Sequence, residues 1–243
     1  MSLSTISLAQ TVRKQFLFKL KANIDSLSSL IWVQLLAILF SFGGVSTMWS
    51  SFGAASIEIQ HFTGDLVIVF TMIWSFTTAI TITTKPNRLQ DFTFVTNRLS
   101  SSLSNILFLL CANLLGSLTA ILSGNVISLI KYLFSNTQLY YMETNGLDLI
   151  GGIALTFLYL CMFSALGYFI GSLVQLNKIF TVLIPILIIG LLFLTQSDPF
   201  LVKLYQFYVG ESNFILFFLK SVLTTILLLI PAVSLMNRLE VRK

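Results

Sequence analysis

The sequence predicts an all-α, polytopic integral membrane protein with six transmembrane helices preceded by an interfacial amphipathic helix. Three observations point there. Of 243 residues, 56% are hydrophobic and 9% charged, against roughly 25% charged in an average soluble domain. The mean hydropathy is +0.92, and so few polar groups cannot cover the wet surface of a soluble fold. The charges also leave long gaps: none falls in 26–57, 66–84, 99–130, 149–177 or 179–197, and Lys220 alone interrupts 212–237.

Each gap is long enough to cross a bilayer. A hydrocarbon layer about 30 Å thick takes about 20 helical residues, and a helix is favoured because lipid offers the backbone no outside hydrogen-bond partner. Spans are therefore predicted near 30–49, 66–84, 103–130, 149–173, 179–195 and 214–236. The third run has length to spare for an interfacial turn.

Lysine and arginine set the orientation. With the N-terminus inside, the inner segments hold Arg13, Lys14, Lys19, Lys21, Lys85, Arg88, Arg98, Lys178, Arg238, Arg242 and Lys243, which is 11 of the 14 basic residues. Lys131, Lys203 and Lys220 remain outside. Both ends are then cytoplasmic, and the net charge of +5 reads as retained positive residues rather than as a nucleic-acid surface.

Residues 1–25 spread their basic residues and lack an unbroken apolar stretch, so no cleaved signal peptide is expected. Leu8, Val12, Phe16, Leu20 and Ile24 recur every four residues, with Arg13, Lys14, Lys19 and Lys21 at the edges of that stripe. Such a helix either lies flat on the inner leaflet, with Phe16 and Leu17 at the acyl boundary and the lysines at anionic headgroups, or packs on cytoplasmic protein. Residues 26–243 form the transmembrane domain.

Catalytic and metal-binding patterns do not emerge. Cys111 and Cys161 are fifty residues apart within spans and read as small core residues. His61, the one histidine, lies between Glu58 and Asp65 in the first outer loop; a surface loop or a metal ligand both fit it. The chain has no GxxxxGK[ST], HExxH or GxSxG, and no cluster of His, Asp or Glu within a span. Nucleophiles and general bases are ionisable side chains, so no catalytic, cofactor or metal residue is assigned.

The spans carry small residues and hydroxyls at helical spacing. Ala112, Gly116, Ala120 and Gly124 share one face of the third helix, and Gly167 and Gly171 form a GxxxG in the fourth. Such grooves let backbones approach closely, within one subunit or across a subunit interface. In the second helix Thr71, Ser75 and Thr78 form a hydroxyl face that either lines a polar path or bonds back to carbonyls of its own helix. Lys220 is the one charge inside a span; it either snorkels outward or faces a cavity that takes an anionic group. Pro185 and Gly190 permit a kink or a close contact in the fifth helix.

Two connections complete the chain. Residues 85–102 form the longest inner one, where Arg88, Asp91, Phe92, Phe94 and Arg98 suit a short amphipathic helix and a docking surface. Residues 196–213 are aromatic and apolar enough to dip into the outer interface as a re-entrant segment, with Tyr205, Phe207 and Tyr208 at headgroup level.

These features together resemble the permease subunits of type-2 ABC exporters: a basic amphipathic N-terminal helix, six spans, an inner connection of about eighteen residues after the second, and an apolar stretch before the sixth. The local text VTNRLSSSLSNILFLLCANLLGSL and LGYFIGSLVQLNKIFTVLIPILIIGLLFL is similar to this family's. The inner connection departs from the family's frequent acidic, glycine-containing form, offering Asp91 and no glycine. The resemblance implies two permease chains, identical or sister, on separate ATPase subunits that bind ATP and Mg. The inner connection would be the coupling helix. The cargo would be a peptide, antibiotic or amphiphilic compound leaving across a bacterial cell membrane. Two other classes fit the spans: an ATP-independent secondary transporter or channel, and a non-transporting membrane immunity or scaffold protein.

Overall fold

The computed structural model describes residues 8–43, 46–52, 55–61, 64–91, 98–134, 146–194, 199–208, 210–211 and 213–238. In chain order the helices are α1 (Leu8–Ala22), α2 (Ile24–Gly43), α3 (Asp65–Ile82), α4 (Lys85–Asp91), α5 (Arg98–Phe134), α6 (Gly146–Leu176), α7 (Phe180–Leu194), α8 (Pro199–Tyr208) and α9 (Phe214–Arg238). Five of them, α2, α3, α5, α6 and α9, are long and apolar enough to cross a membrane. The chain is a membrane-embedded helical protein.

Local chemistry sets the element ends. Asn23 separates α1 from α2: its amide and its backbone N–H both donate to the Lys19 carbonyl, at 3.0 and 2.9 Å. Asp25 lies in the first turn of α2, where the helix dipole favours an acid. Gly64 precedes α3, which closes at Thr83: the Thr83 N–H donates to the Ile80 carbonyl and the Thr84 N–H to the Thr81 carbonyl, each at 3.1 Å. Asn177 Oδ1 accepts from the Ile179 N–H at 3.2 Å in the turn between α6 and α7. Asn213 caps α9 by accepting from the Ile215 N–H at 3.1 Å.

The structure departs from the sequence expectations at four places. The first span is not 30–49 but α2, which starts at Ile24 and ends at Gly43. Trp49 belongs instead to β1 (Ser46–Phe52), which pairs antiparallel with β2 (Ala55–His61), Ser46 opposite His61 and Phe52 opposite Ala55. The helical class therefore carries one β-hairpin, whose second strand alternates Ala55, Ile57 and Ile59 with Ser56, Glu58 and Gln60. The third run makes no interfacial turn: α5 is continuous over 37 residues, about 55 Å at the helical rise. The fifth predicted span is α7, whose 15 residues include Pro185 and reach about 22 Å, less than the hydrocarbon thickness of about 30 Å.

The remaining long helices pack through small residues. A Cβ on Gly167 would collide with the Phe76 carbonyl oxygen and lie 3.1 Å from Ala79 Cβ; one on Gly171 would collide with Thr83 Oγ1. α6 thus lies backbone to backbone on α3 within the same chain. Gly116 faces Thr71 and Leu160, and Gly124 admits Gly64 at the start of α3. Ala112 and Ala120, on the same face of α5, are buried. The larger core cluster gathers Leu30, Trp74, Ile82, Phe108, Tyr168 and Met236, with Phe16 and Leu20 of α1 packed against it. Since α2 and α5 start near this cluster and α3, α6 and α9 finish near it, those five helix ends share one end of the bundle.

Candidate functional site

Ionisable side chains are rare in the spans, but hydroxyls and amides are not, and the structure gathers several of them along one side of α5. Three clusters follow one another from its N-terminal end. In the first, Lys19 of α1 donates to the Ser101 carbonyl at 3.2 Å and to Asn105 Oδ1, while Asn105 Nδ2 lies 3.5 Å from the Tyr168 hydroxyl. Lys19 is 4% exposed and Tyr168 fully buried. A cavity of about 10 Å³, room for about one water, lies among Phe18, Lys19, Asn23, Ile82, Asn87 and Asn105.

The second cluster joins α3, α5 and α6. Ser75 Oγ donates to Asn113 Oδ1 at 2.6 Å and lies 3.2 Å from the Leu160 carbonyl. Asn113 Nδ2 donates to Ser164 Oγ at 2.8 Å and lies 3.9 Å from Cys161 Sγ. The third joins α2 to α3 and α5: Gln34 Nε2 donates to Thr119 Oγ1 at 2.9 Å and to Thr71 Oγ1 at 3.2 Å. Thr71 itself donates to the Val67 carbonyl at 2.7 Å. Interhelical bonds of this kind contribute roughly 0.6–2 kcal/mol each in a membrane. Burial among partners keeps these groups from facing lipid bare.

The path candidates therefore sit inside packed interfaces. Thr71 and Ser75 are 0% and 1% exposed, and Thr78 is also buried. Their face is occupied by α2, α5 and α6, while Thr77, Thr81, Thr83 and Thr84 bond back to carbonyls three or four residues earlier. Gln34, Asn105 and Asn113, which hold the clusters together, escaped the sequence reading. A signal existed: each is an amide within a charge-free run, and an amide in lipid needs partners.

Lys220 lies apart from this seam. Its ammonium pairs with Glu211, contacts the Phe207 carbonyl at 3.3 Å and stands 4.1 Å from the Phe207 ring centre. The two charged side chains are 24% and 20% exposed. Tyr159 donates to the Tyr208 carbonyl at 3.3 Å and packs against Phe217, ring centres 4.8 Å apart and planes tilted by 48°. The end of α8 is thereby fastened to α6 and α9; residues 196–198, 209 and 212 of the expected re-entrant segment lie outside the described residues. Tyr205 belongs to α8.

The inner connection divides. Arg88 and Asp91 belong to α4 and Arg98 opens α5; Phe92 and Phe94 lie outside the described residues. α4 is tied to α3 by Asn87 Nδ2 on the Thr81 carbonyl at 2.7 Å. α1 rests against α5 and the core, with Val12 and Lys19 buried and Arg13, Lys14, Leu17 and Lys21 exposed. Lys19, expected at the headgroups, is drawn inward by the Ser101 and Asn105 acceptors. Among the described residues no three His, Cys, Asp or Glu side chains gather into a metal-holding group. In comparison with known proteins, no family model, curated protein or solved structure matches the chain.

Proposed function

We propose that the chain is the transmembrane permease subunit of an ATP-driven ABC exporter in a bacterial cell membrane, exporting a peptide, antibiotic or amphiphilic compound. Two permease chains, identical or sister, dock on two separate ATPase subunits, which carry the ATP and Mg. This chain performs no hydrolysis itself. The observation that carries the reading is the layer at the basic end of the bundle. There α1 is seated on the first turns of α5 through Lys19, and α4 turns out of α3, its Asn87 sharing a small cavity with Lys19. Arg13, Lys14, Lys21 and Lys85 are exposed on these elements beside the apolar Leu89, a basic surface with one apolar contact on which a soluble partner can sit.

Connectivity supports six crossings with both ends inside. α6 and α9 finish at the same end of the bundle, so the chain between them has to return to the other side, and α7 is the helix available for it. The basic residues of 1–25, 85–102 and 238–243 then fall in the cytoplasm. Closure of the ATPase pair would press on 85–102, and α5, unbroken from Arg98, would carry that movement across the membrane. Because α2, α5 and α6 occupy the hydroxyl face of α3, the substrate path in this reading runs between two permeases.

Affinity purification in mild detergent tests the reading. A P-loop ATPase should copurify, with Mg-dependent ATP hydrolysis, and joint Phe92→Ser and Phe94→Ser replacement should abolish copurification while membrane insertion persists. Recovery of the folded chain without any ATPase would overturn it in favour of an ATP-independent transporter, channel or scaffold.

A further inference from the structure

α1 holds to the bundle by one face. Val12, Gln15 and Lys19 are its buried residues, three and four apart and therefore on one side of the helix. α1 packs chiefly on α5 and touches α2 only near their joint, so this side is the seat against α5, with Phe16 and Leu20 beside it on the core. Lys19 is well provided there: its ammonium donates to the Ser101 carbonyl and to Asn105 Oδ1.

Gln15, one turn away, is not. It is 1% exposed, and neither Oε1 nor Nε2 has a hydrogen-bond partner. Among the described residues it is the only side chain left with every polar atom buried and unmatched. A primary amide can both accept and donate two hydrogen bonds; water supplies them when the helix stands free, and the seat supplies none. Buried polar groups nearly always find partners, because leaving one unmade costs more than a typical intramolecular bond returns. The seated position of α1 is thus held by Val12, Phe16, Leu20 and Lys19 and opposed from its middle by Gln15.

The joint leaves room for a second position. Asn23 alone separates α1 from α2, and the cavity between Lys19, Asn23 and Asn87, with room for about one water, lies beside it. On the outward side Arg13, Lys14 and Lys21 are exposed, which keeps a freed helix at the polar surface. We infer that α1 is a releasable arm: it swings about Asn23 between its seat on α5 and a released position in which Gln15 and Lys19 are hydrated, and Gln15 sets how often it leaves. Release uncovers the Ser101 carbonyl and Asn105, where the polar seam along α5 begins. The inference needs no ATPase partner and no transport role, so copurification and the experiment below fail independently.

Hydrogen–deuterium exchange of the full chain in phospholipid nanodiscs, followed by mass spectrometry, tests it. A helix of 15 residues is marginal alone in water, so release removes the protection of its amides. In the native chain, peptides from 8–22 should exchange faster than peptides from 102–109, the part of α5 on which α1 rests. Gln15→Met keeps an unbranched side chain and removes the amide; it should slow exchange across 8–22 about tenfold, the scale of an unmade buried hydrogen bond, and leave 102–109 unchanged. Lys19→Met should speed exchange across 8–22. Where Gln15→Met does not fold, Gln15→Leu makes the same test. Unchanged or faster exchange on losing the amide would overturn the inference in favour of a static seat in which a bound water serves Gln15. Equal protection of 8–22 and 102–109 in the native chain would overturn it as well.

Discussion

Lys220 lies inside α9, yet its ammonium reaches Glu211, which precedes that helix, and the Phe207 ring. The long alkyl stem lets the charge leave the apolar level of its own backbone, and here it finds a carboxylate. Because both partners are mostly buried, the pair falls between the exposed and buried extremes, and breaking it should cost about 1 kcal/mol. Lys220→Met and Glu211→Gln should each destabilise by about that amount. Since both remove one interaction, the double variant should cost little more than either single one, and Lys220→Arg should be tolerated. Reversible unfolding in mixed micelles measures the cycle; strictly additive effects would show that the two side chains do not act as a pair.

Among the elements, the α3–α6 contact depends most on the absence of side chains. At Gly167 an added methyl meets the Phe76 backbone oxygen, which cannot swing aside as a flexible side chain does. Gly167→Ala should therefore destabilise the bundle by about 1–3 kcal/mol, the usual cost of overpacking. Gly151→Ala in the same helix has open space and should be neutral or gain up to about 1 kcal/mol from helix propensity. Unfolding measured on the two variants separates packing from propensity; equal behaviour would remove the close crossing as the reason for glycine at 167. The same contact explains why Ser75 can reach the Leu160 carbonyl: only helices this near bring a hydroxyl within range of a neighbouring backbone.

For the molecule as a whole, the proposed arrangement predicts which segments face the outside. In intact cells, with the native cysteines replaced, His61→Cys and Asn145→Cys should react with an impermeant thiol reagent. Val95→Cys and Glu240→Cys should react only after the membrane is opened. Labelling of position 95 in intact cells would reverse the orientation. The prediction rests on the 11 of 14 basic residues that the proposed topology assigns to inner segments and on the shared bundle end of α2, α3, α5, α6 and α9.

Hydropathy alone located α3, α5, α6 and α9 to within a few residues, because in lipid an apolar run about 20 residues long has little choice but to become a helix. The GxxxG at Gly167 and Gly171 was legible as a close-packing surface for a similar reason: small side chains at that spacing leave a groove. Periodicity could not say what fills the groove, and only tertiary packing set Phe76 and Thr83 there. Nor could it choose between α2 at 24–43 and a span at 30–49, since the charge-free run exceeds the bilayer and either window is apolar. The choice follows from the ends: Asn23 turns on the Lys19 carbonyl, Trp74 Nε1 donates to Ser29 Oγ at 2.9 Å, and Ser46–His61 leaves as a hairpin. The polar seam was invisible for the same physical reason. A hydroxyl or an amide in a span has a meaning only once its partner is known, and the partners of Gln34, Asn105 and Asn113 lie on helices that sequence spacing does not bring together.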